Sequence, residues 1–305
     1  MLSVENLTRK FSSNIAVDNI SFKISPGKIT GLLGPNGAGK TTTMRLITGF
    51  LEPTSGSIYY DQKSIADDSV SIKTKLGYLP ESAPLYPEML VMEYLNYMAD
   101  IRGVPAESKT QNIQHMIEVC ELQTHIKMLI GNLSKGFKQR VALAGTLIHN
   151  PEIIILDEPT SGLDPNQISH IRNLIKNLGK QKTLILSTHI LQEVEEICDD
   201  VIIINRGKIV ANSEVSKLHV GNQVLLTLNT NLENLKKALA DKTFESITPF
   251  QNEEVPKGFF SYLITLKEDK PELIFQKLSQ SSYQVREMKL YKRSLESIFE
   301  ELTKN

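Results

Sequence analysis

Gly34-Pro35-Asn36-Gly37-Ala38-Gly39-Lys40-Thr41-Thr42 is the stretch on which the reading of this chain turns. It fits the phosphate-binding pattern G-x-x-x-x-G-K-[ST], with Gly34, Gly39, Lys40 and Thr41 in the required places. Pro35, Asn36, Gly37 and Ala38 fill the curl, and Thr42 follows it. Glycines let a backbone curl until several N–H groups face one anion. The apolar run at 28–33, KITGLL, predicts a buried strand before the loop, and 42–47, TTMRLI, predicts the first turns of a helix after it. A helix start adds about half a positive charge at that point. In this pattern Lys40 reaches the β- and γ-phosphates, and the Thr41 hydroxyl holds Mg²⁺.

Further out, 305 residues suit a large domain plus a smaller one. The apolar content of 40% and charged content of 23% are those of an ordinary globular protein. A net charge of −1 argues against a nucleic-acid surface spread over the chain, so no nucleic-acid partner is expected. The two cysteines, Cys120 and Cys198, are far apart and in no metal spacing. They read as reduced, buried or incidental thiols, with Cys198 inside a helix-like stretch. The opening MLSVENLTRKF lacks an apolar signal core, and no window approaches the ~20 apolar residues of a membrane span. A cytoplasmic chain is the expectation.

Segments 2–8 and 15–24 alternate apolar and polar, as two half-exposed antiparallel strands do. Phe11, in the link between them, either stacks on a base such as adenine or belongs to a satellite core. Short strands are predicted at 57–60 and 76–81, and a helical pattern from 88 to about 150. There Met89, Met92, Leu95 and Met98 suggest one core-facing stripe, and Ile113, Met116, Ile117 and Cys120 a second. Residues 153–156, all Ile and Leu, read as a strand buried on both faces of a parallel sheet. A helix at 165–179 follows with Asp164 as cap, then strand 183–187, helix 190–197, strand 201–205 and strand 208–211. Such alternation predicts a parallel α/β sheet. From about 221 the character changes to a small α+β appendage, with strands near 224–228, 259–266 and 283–290 and helices near 231–239, 271–278 and 294–302. It carries no chemical motif.

Functional side chains of parallel sheets emerge where strands end. Asp157 and Glu158 follow the buried run directly. An acid there suits Mg²⁺, and its neighbour can polarise a water that attacks the γ-phosphate. The plainer alternative is a pair of solvated loop acids. His189, just past strand 183–187, either donates to the γ-phosphate or is structural. Ser134 opens a helix as N-cap, with Gly136 leaving room for close approach, so this is a second anion site or simply a capped helix.

Together these residues resemble the ATP-binding cassette (ABC) ATPase subunits of membrane transporters over roughly residues 1–218. Residues 34–41 match Walker A, 153–158 match Walker B, and 133–139, LSKGFKQ, match the family signature LSGGQ. Ser161-Gly162-Leu163-Asp164 matches the D-loop, His189 the switch histidine and Phe11 the adenine-stacking aromatic. The resemblance implies an α/β P-loop NTPase of ABC type, with an antiparallel β subdomain and an α-helical subdomain at about 88–150. Residues 1–218 would be the ATP-binding domain and 219–305 a C-terminal α+β accessory domain. It also implies ATP and Mg²⁺ as ligands, and a head-to-tail homodimer. Each ATP would lie between Walker A of one copy and Ser134 and Gly136 of the other. Transmembrane permease subunits would dock on the helical subdomain, placing the chain peripherally on the cytoplasmic face of the inner membrane.

Two sites depart from the family pattern. Glu81, in GYLPE, stands where the lid-loop Gln that touches Mg²⁺ is usual, and in the signature Lys135 replaces the first Gly and Phe137 stands where another Gly often sits. GYLPE is common in type-2 exporters. The run GYLPESAPLYPEMLVMEYL at 77–95 resembles the ATPase subunit of gliding-motility exporters, as does SLESIF at 294–299 for the wider class. The competing expectation is a cassette protein that acts as a binding switch on ribosomes or DNA. Those relatives typically carry two cassettes or a coiled-coil insertion, and neither is visible here.

Overall fold

The alternating N-terminal segments pair as antiparallel strands β1 (Leu2–Phe11) and β2 (Asn14–Ile24). The structure, a computed structural model, describes residues 1–218, 223–239, 244–250, 255–267, 270–279, 281–291 and 299. Pairing continues to Phe11 opposite Asn14, so Phe11 closes β1 instead of lying in a link. β4 (Ser55–Tyr60) pairs with β1, and the two-residue β5 (Lys63–Ser64) completes a four-stranded sheet in the order β2-β1-β4-β5.

The β-branched runs form the second sheet. Its strands are β3 (Ile29–Leu33), β6 (Leu76–Leu79), β7 (Ile153–Asp157), β8 (Thr183–Thr188), β9 (Asp200–Asn205) and β10 (Lys208–Glu214), in the order β10-β9-β3-β8-β7-β6. Five are parallel, and β10 is an antiparallel edge. All of β3 is buried, as a central parallel strand requires. Side chains alternate across this sheet. Ile155, Ile185 and Ile202 pack with the first sheet and with α1 (Lys40–Ile47), while Ile154, Leu156, Leu184 and Leu186 pack toward the helices.

The helices after α1 are α2 (Ser69–Thr74), α3 (Val91–Ile101), α4 (Ala106–Val119), α5 (Lys135–Leu147), α6 (Pro165–Gly179), α7 (Leu191–Ile197) and α8 (Val215–Leu218); α3 to α7 supply that helix side, whereas Ile72 of α2 packs with the first sheet. Asp164 caps α6 as expected, accepting from the Gln167 N–H at 2.9 Å. The stripe expected on α3 is shifted. Val91, Tyr94, Leu95 and Ala99 are buried, whereas Met89, Met92 and Met98 are only partly so, and Met89 precedes the helix. A strict three-residue spacing drifts by about 60° per step on a helix of 3.6 residues per turn. The α4 stripe, Ile113, Met116, Ile117 and Cys120, is core. Both thiols are free. Burial pushes Cys120 up to about 12 and Cys198 up as well. Cys198 sits past the end of α7 with extended backbone, because the chain is already turning toward β9.

The two units are Met1–Val215 and Ser216–Glu301. The second runs β11 (Gln223–Leu228), α9 (Leu232–Ala238), β12 (Phe244–Pro249), β13 (Phe260–Leu266), α10 (Glu272–Leu278) and β14 (Val285–Leu290), and its antiparallel sheet has the order β12-β13-β11-β14. This is a split βαβ arrangement. Val224, Leu226, Tyr262 and Ile264 pack under Leu235 and Ile274 of its helices. β12 is absent from the sequence reading, because an edge strand ending in Pro249 has no clear alternation. Of the helix expected at 294–302, only Phe299 is among the described residues. Among the described residues no helix is long and apolar enough to cross a membrane.

Candidate nucleotide site

The glycine loop joins β3 to α1, at the sheet edge where β7 and β8 also end. Gly39, the residue before α1, has φ +106, and a Cβ there would lie 2.4 Å from the Ala16 carbonyl oxygen. Only glycine fits that backbone at that distance. The loop is tied from below: the Gly207 N–H donates to the Ala38 carbonyl at 2.9 Å, and the Ala38 N–H to the Pro35 carbonyl at 3.1 Å. Ala38 itself is buried, so its backbone, not its side chain, serves the site.

Lys40 is 5% exposed despite its charge. Its ammonium donates to the Gly34 carbonyl at 2.9 Å and the Pro35 carbonyl at 3.3 Å, and pairs with Glu158 Oε1 at 3.3 Å. The other Glu158 oxygen lies 3.1 Å from His189 Nδ1. Lys40, Glu158 and His189 thus form a continuous polar chain, although they come from three segments far apart in sequence. Glu158 holds a left-handed backbone, φ 46, which costs a side-chain-bearing residue about 1 kcal/mol or more. Ser187 stabilises this bend by accepting the Glu158 N–H on Oγ at 3.0 Å.

Asp157 is fully buried. Its Oδ1 accepts from Ser187 Oγ at 2.5 Å and from Thr41 Oγ1 at 3.2 Å, while Oδ2 has no partner among the described residues. An orphaned carboxylate oxygen in a buried site is costly and suits a cation. Neither acid is therefore a solvated loop residue: Glu158 is 12% exposed and Asp157 is not exposed at all.

These groups line or underlie one open cleft of about 760 Å³. Asn36, Gly37, Gly39, Lys40, Thr41 and Thr42 line it, together with Glu158, His189 and Glu81. Phe11 also lines it and is 43% exposed, so it is not a satellite core residue. The Arg9 guanidinium stands 4.6 Å from the Phe11 ring centroid, a cation–π contact that orients the ring. Asn14, Ile15, Ala16, Ser161, Arg206 and Gly207 line the cleft too, and are missing from the sequence-predicted set. In the sequence Ser161 reads only as part of the D-loop match, Arg206-Gly207 fall between two expected strands, and Asn14, Ile15 and Ala16 open β2 with no local mark of a site.

Ser134 and Gly136 do not line the cleft. Ser134 is exposed at the N-cap of α5 and accepts the Phe137 N–H at 3.4 Å. The space left by Gly136 is taken within the chain: a Cβ there would meet Gln167 Cδ of α6 at 2.5 Å. Lys135 does not simply extend into solvent, since its Nζ lies 2.1 Å from where a Cβ on Gly162 would stand.

The family described as ABC transporter matches residues 17–161. The chain is 34% identical over 252 residues to the uncharacterized ABC transporter ATP-binding protein YxlF of Bacillus subtilis, covering 83% of this chain and 84% of that protein. It is 35% identical to the bacitracin transport ATP-binding protein BcrA of Bacillus licheniformis, over 80% of each chain. The dimeric structure of MJ0796, a bacterial ABC transporter cassette, matches with a TM-score of 0.65 at 25% identity, over 70% of this chain and 99% of that one. With a phosphate loop and two acids at one sheet edge, on the fold of those cassettes, this chain belongs to the ABC transporter family as an ATP-binding, ATP-hydrolysing subunit.

Proposed function

We propose that this chain is the ATPase subunit of an ABC exporter, and that each molecule carries two complementary halves of the hydrolysis site. The observation that carries this reading is the separation of the signature segment from the cleft. Lys40, Glu158 and His189 are joined inside one molecule, while the Ser134 hydroxyl is exposed elsewhere. A second copy arranged head to tail would bring its Ser134 and Gly136 to the terminal phosphate, with two electropositive helix starts gripping one anion. MJ0796, similar in fold, is described as dimeric.

ATP phosphates would displace the Lys40 ammonium from Glu158 and the loop carbonyls. Phe11 would stack on adenine. Thr41, Asp157 and Glu81 would hold Mg²⁺, and the unpartnered Asp157 oxygen fits that ion. The ion supplies charge neutralisation along the phosphates. Glu158, released from Lys40, would take the proton of the attacking water as the bond to ADP breaks, and His189 would donate toward the γ-phosphate. In this reading residues 1–218 are the ATP-binding domain and 219–305 an accessory one. The helical subdomain docks transmembrane permease subunits on the cytoplasmic face of the membrane.

Relatives named for bacitracin transport and Nod factor export support the exporter class. Within it, the run at 77–95 favours a gliding-motility exporter. The test is purification of the full chain from detergent-solubilised membranes. A multi-span protein should accompany it and raise its ATP turnover. Recovery on ribosomes or DNA, with no membrane protein, would overturn the exporter reading.

A further inference from the structure

α7 starts two residues after His189, and Glu193 lies in its first turn. The Glu193 side chain is 1% exposed and does not line the cleft. Both its oxygens are nonetheless taken, by hydroxyls from two different segments. Thr160 Oγ1 donates to Oε1 at 2.5 Å, and Thr188 Oγ1 donates to Oε2 at 2.6 Å. Arg172 of α6 stands 3.6 Å from Oε1 and balances the charge. A buried carboxylate is tolerated only when partners hold it on every side, and such a cluster resists small displacements.

The two segments tied are those that carry the acid and the imidazole. Thr160 is two residues beyond Glu158, and Thr188 immediately precedes His189. Thr188 Oγ1 also accepts the Ile190 N–H at 3.0 Å, so the backbone is fixed on both sides of His189. The β7–β8 ladder ends at Asp157 opposite Ser187. The Glu158 N–H still donates to the Ser187 carbonyl at 3.2 Å, but His189 lies past the paired strand, so strand pairing alone does not set the contact between the two side chains.

We infer that Glu193 is a positioning residue for ATP hydrolysis: its buried carboxylate clamps Thr160 and Thr188, and so holds Glu158 and His189 at their 3.1 Å contact. This rests on the roles given to Glu158 and His189 above. Because Glu193 does not reach the nucleotide, its loss acts on turnover and spares ATP binding.

The experiment uses the full chain with Mg²⁺-ATP, measuring kcat and ATP affinity for variants shown to be folded by circular dichroism. Glu193→Ala should lower kcat by about tenfold to a hundredfold, with ATP affinity within about twofold of the parent. Glu193→Gln keeps an acceptor of the same shape and should recover part of that loss. In a His189→Ala background, Glu193→Ala should add less than about threefold, since the contact it holds is already gone. A folded Glu193→Ala chain with kcat within about twofold of the parent would overturn the inference, as would a fully multiplicative loss in the His189→Ala background. If Glu193→Ala does not fold, Thr160→Val and Thr188→Val decide: each should slow turnover several-fold, and two neutral variants reject the clamp. Glu158→Gln separates the two levels. If it turns over normally, the general-base reading fails. If it is inactive while the Glu193 and threonine variants are normal, only the clamp fails.

Discussion

The glycine loop and the N-terminus of α5 are both helix starts suited to an anion, and they are built in opposite ways. The loop is complete within its own chain. Lys40 is nearly buried and already holds two carbonyls and a carboxylate, and Gly39 is pressed against Ala16. The α5 start is left open, with Ser134 exposed and its cap bond long at 3.4 Å. A charged cradle must be pre-formed to work without reorganisation, so buried neighbours and strand register fix it. A hydroxyl meant for a ligand brought by another molecule needs the reverse, a supported backbone and a free side chain. Gly136 packs on Gln167 and Gln139 Nε2 donates to the Pro159 carbonyl at 2.9 Å, which supplies that support without covering Ser134.

The largest expected effect tests the closed side of this contrast. Glu158→Gln should lower ATP turnover by about 10²–10⁴-fold while ATP binding persists. Native turnover in that variant would remove Glu158 as the base. Lys40→Ala comes next. Losing charged hydrogen bonds of about 1.5–3 kcal/mol should weaken ATP affinity by about tenfold to a hundredfold, read by titration with a fluorescent ATP analogue. Unchanged affinity and turnover would mean that the loop does not hold the phosphates. Ser134→Ala sharpens the open side. Turnover should fall about tenfold, with the affinity of the dilute single chain for ATP unaltered. Its folding cost should sit at the low end of the ~0.5–2 kcal/mol range for caps, because the bond is long. If dilute-chain affinity falls as well, the two halves are not separate.

The smallest effect concerns the other end of α5. Just past it, His149 Nε2 lies 3.0 Å from the Leu76 carbonyl oxygen. Burial, with the Arg102 and Lys182 charges adding to it, pushes the His149 pKa down to about 4 from 6.5. The unfolded chain therefore takes up a proton that the folded chain refuses. Stability should be full above about pH 6.5 and decline toward pH 4, by less than full burial would give because the ring is partly exposed. Urea melts at pH 7 and pH 5 should show this loss, and His149→Gln should flatten it. An unchanged pH profile would exclude His149 as a source of acid sensitivity.

The closed half was legible in the sequence because it is local. Gly34, Gly39, Lys40 and Thr41 are covalent neighbours, and Asp157 and Glu158 follow an unmistakable buried strand. What those acids touch was not legible. Ser187 meets Asp157 only because β7 and β8 pair in parallel at that register, and Glu193 meets Thr160 only through the packing of α7. A serine, a threonine or a helical glutamate carries no local mark of such a role. Within the stretch that reads as helical from 88 to about 150, residues 91–101, 106–119 and 135–147 are helices, but the α3 face was misjudged by a spacing of three on a helix of 3.6. α2 was missed because Ser69-Val70-Ser71-Ile72-Lys73-Thr74 is rich in β-branched residues and poor in helix formers. Gly136 reads as leaving room for close approach, and the neighbour that comes close within the chain, Gln167 of α6, carried no mark of it in the sequence.

The most direct test of the divided site is the mass of the full-length Glu158→Gln chain in Mg²⁺-ATP, measured by light scattering. It should be a dimer with ATP and a monomer with ADP, and Ser134→Arg in the same chain should keep it monomeric in both. A chain that stays monomeric in ATP at every concentration, while the parent hydrolyses ATP at a constant rate per molecule, would contradict a site shared between two copies.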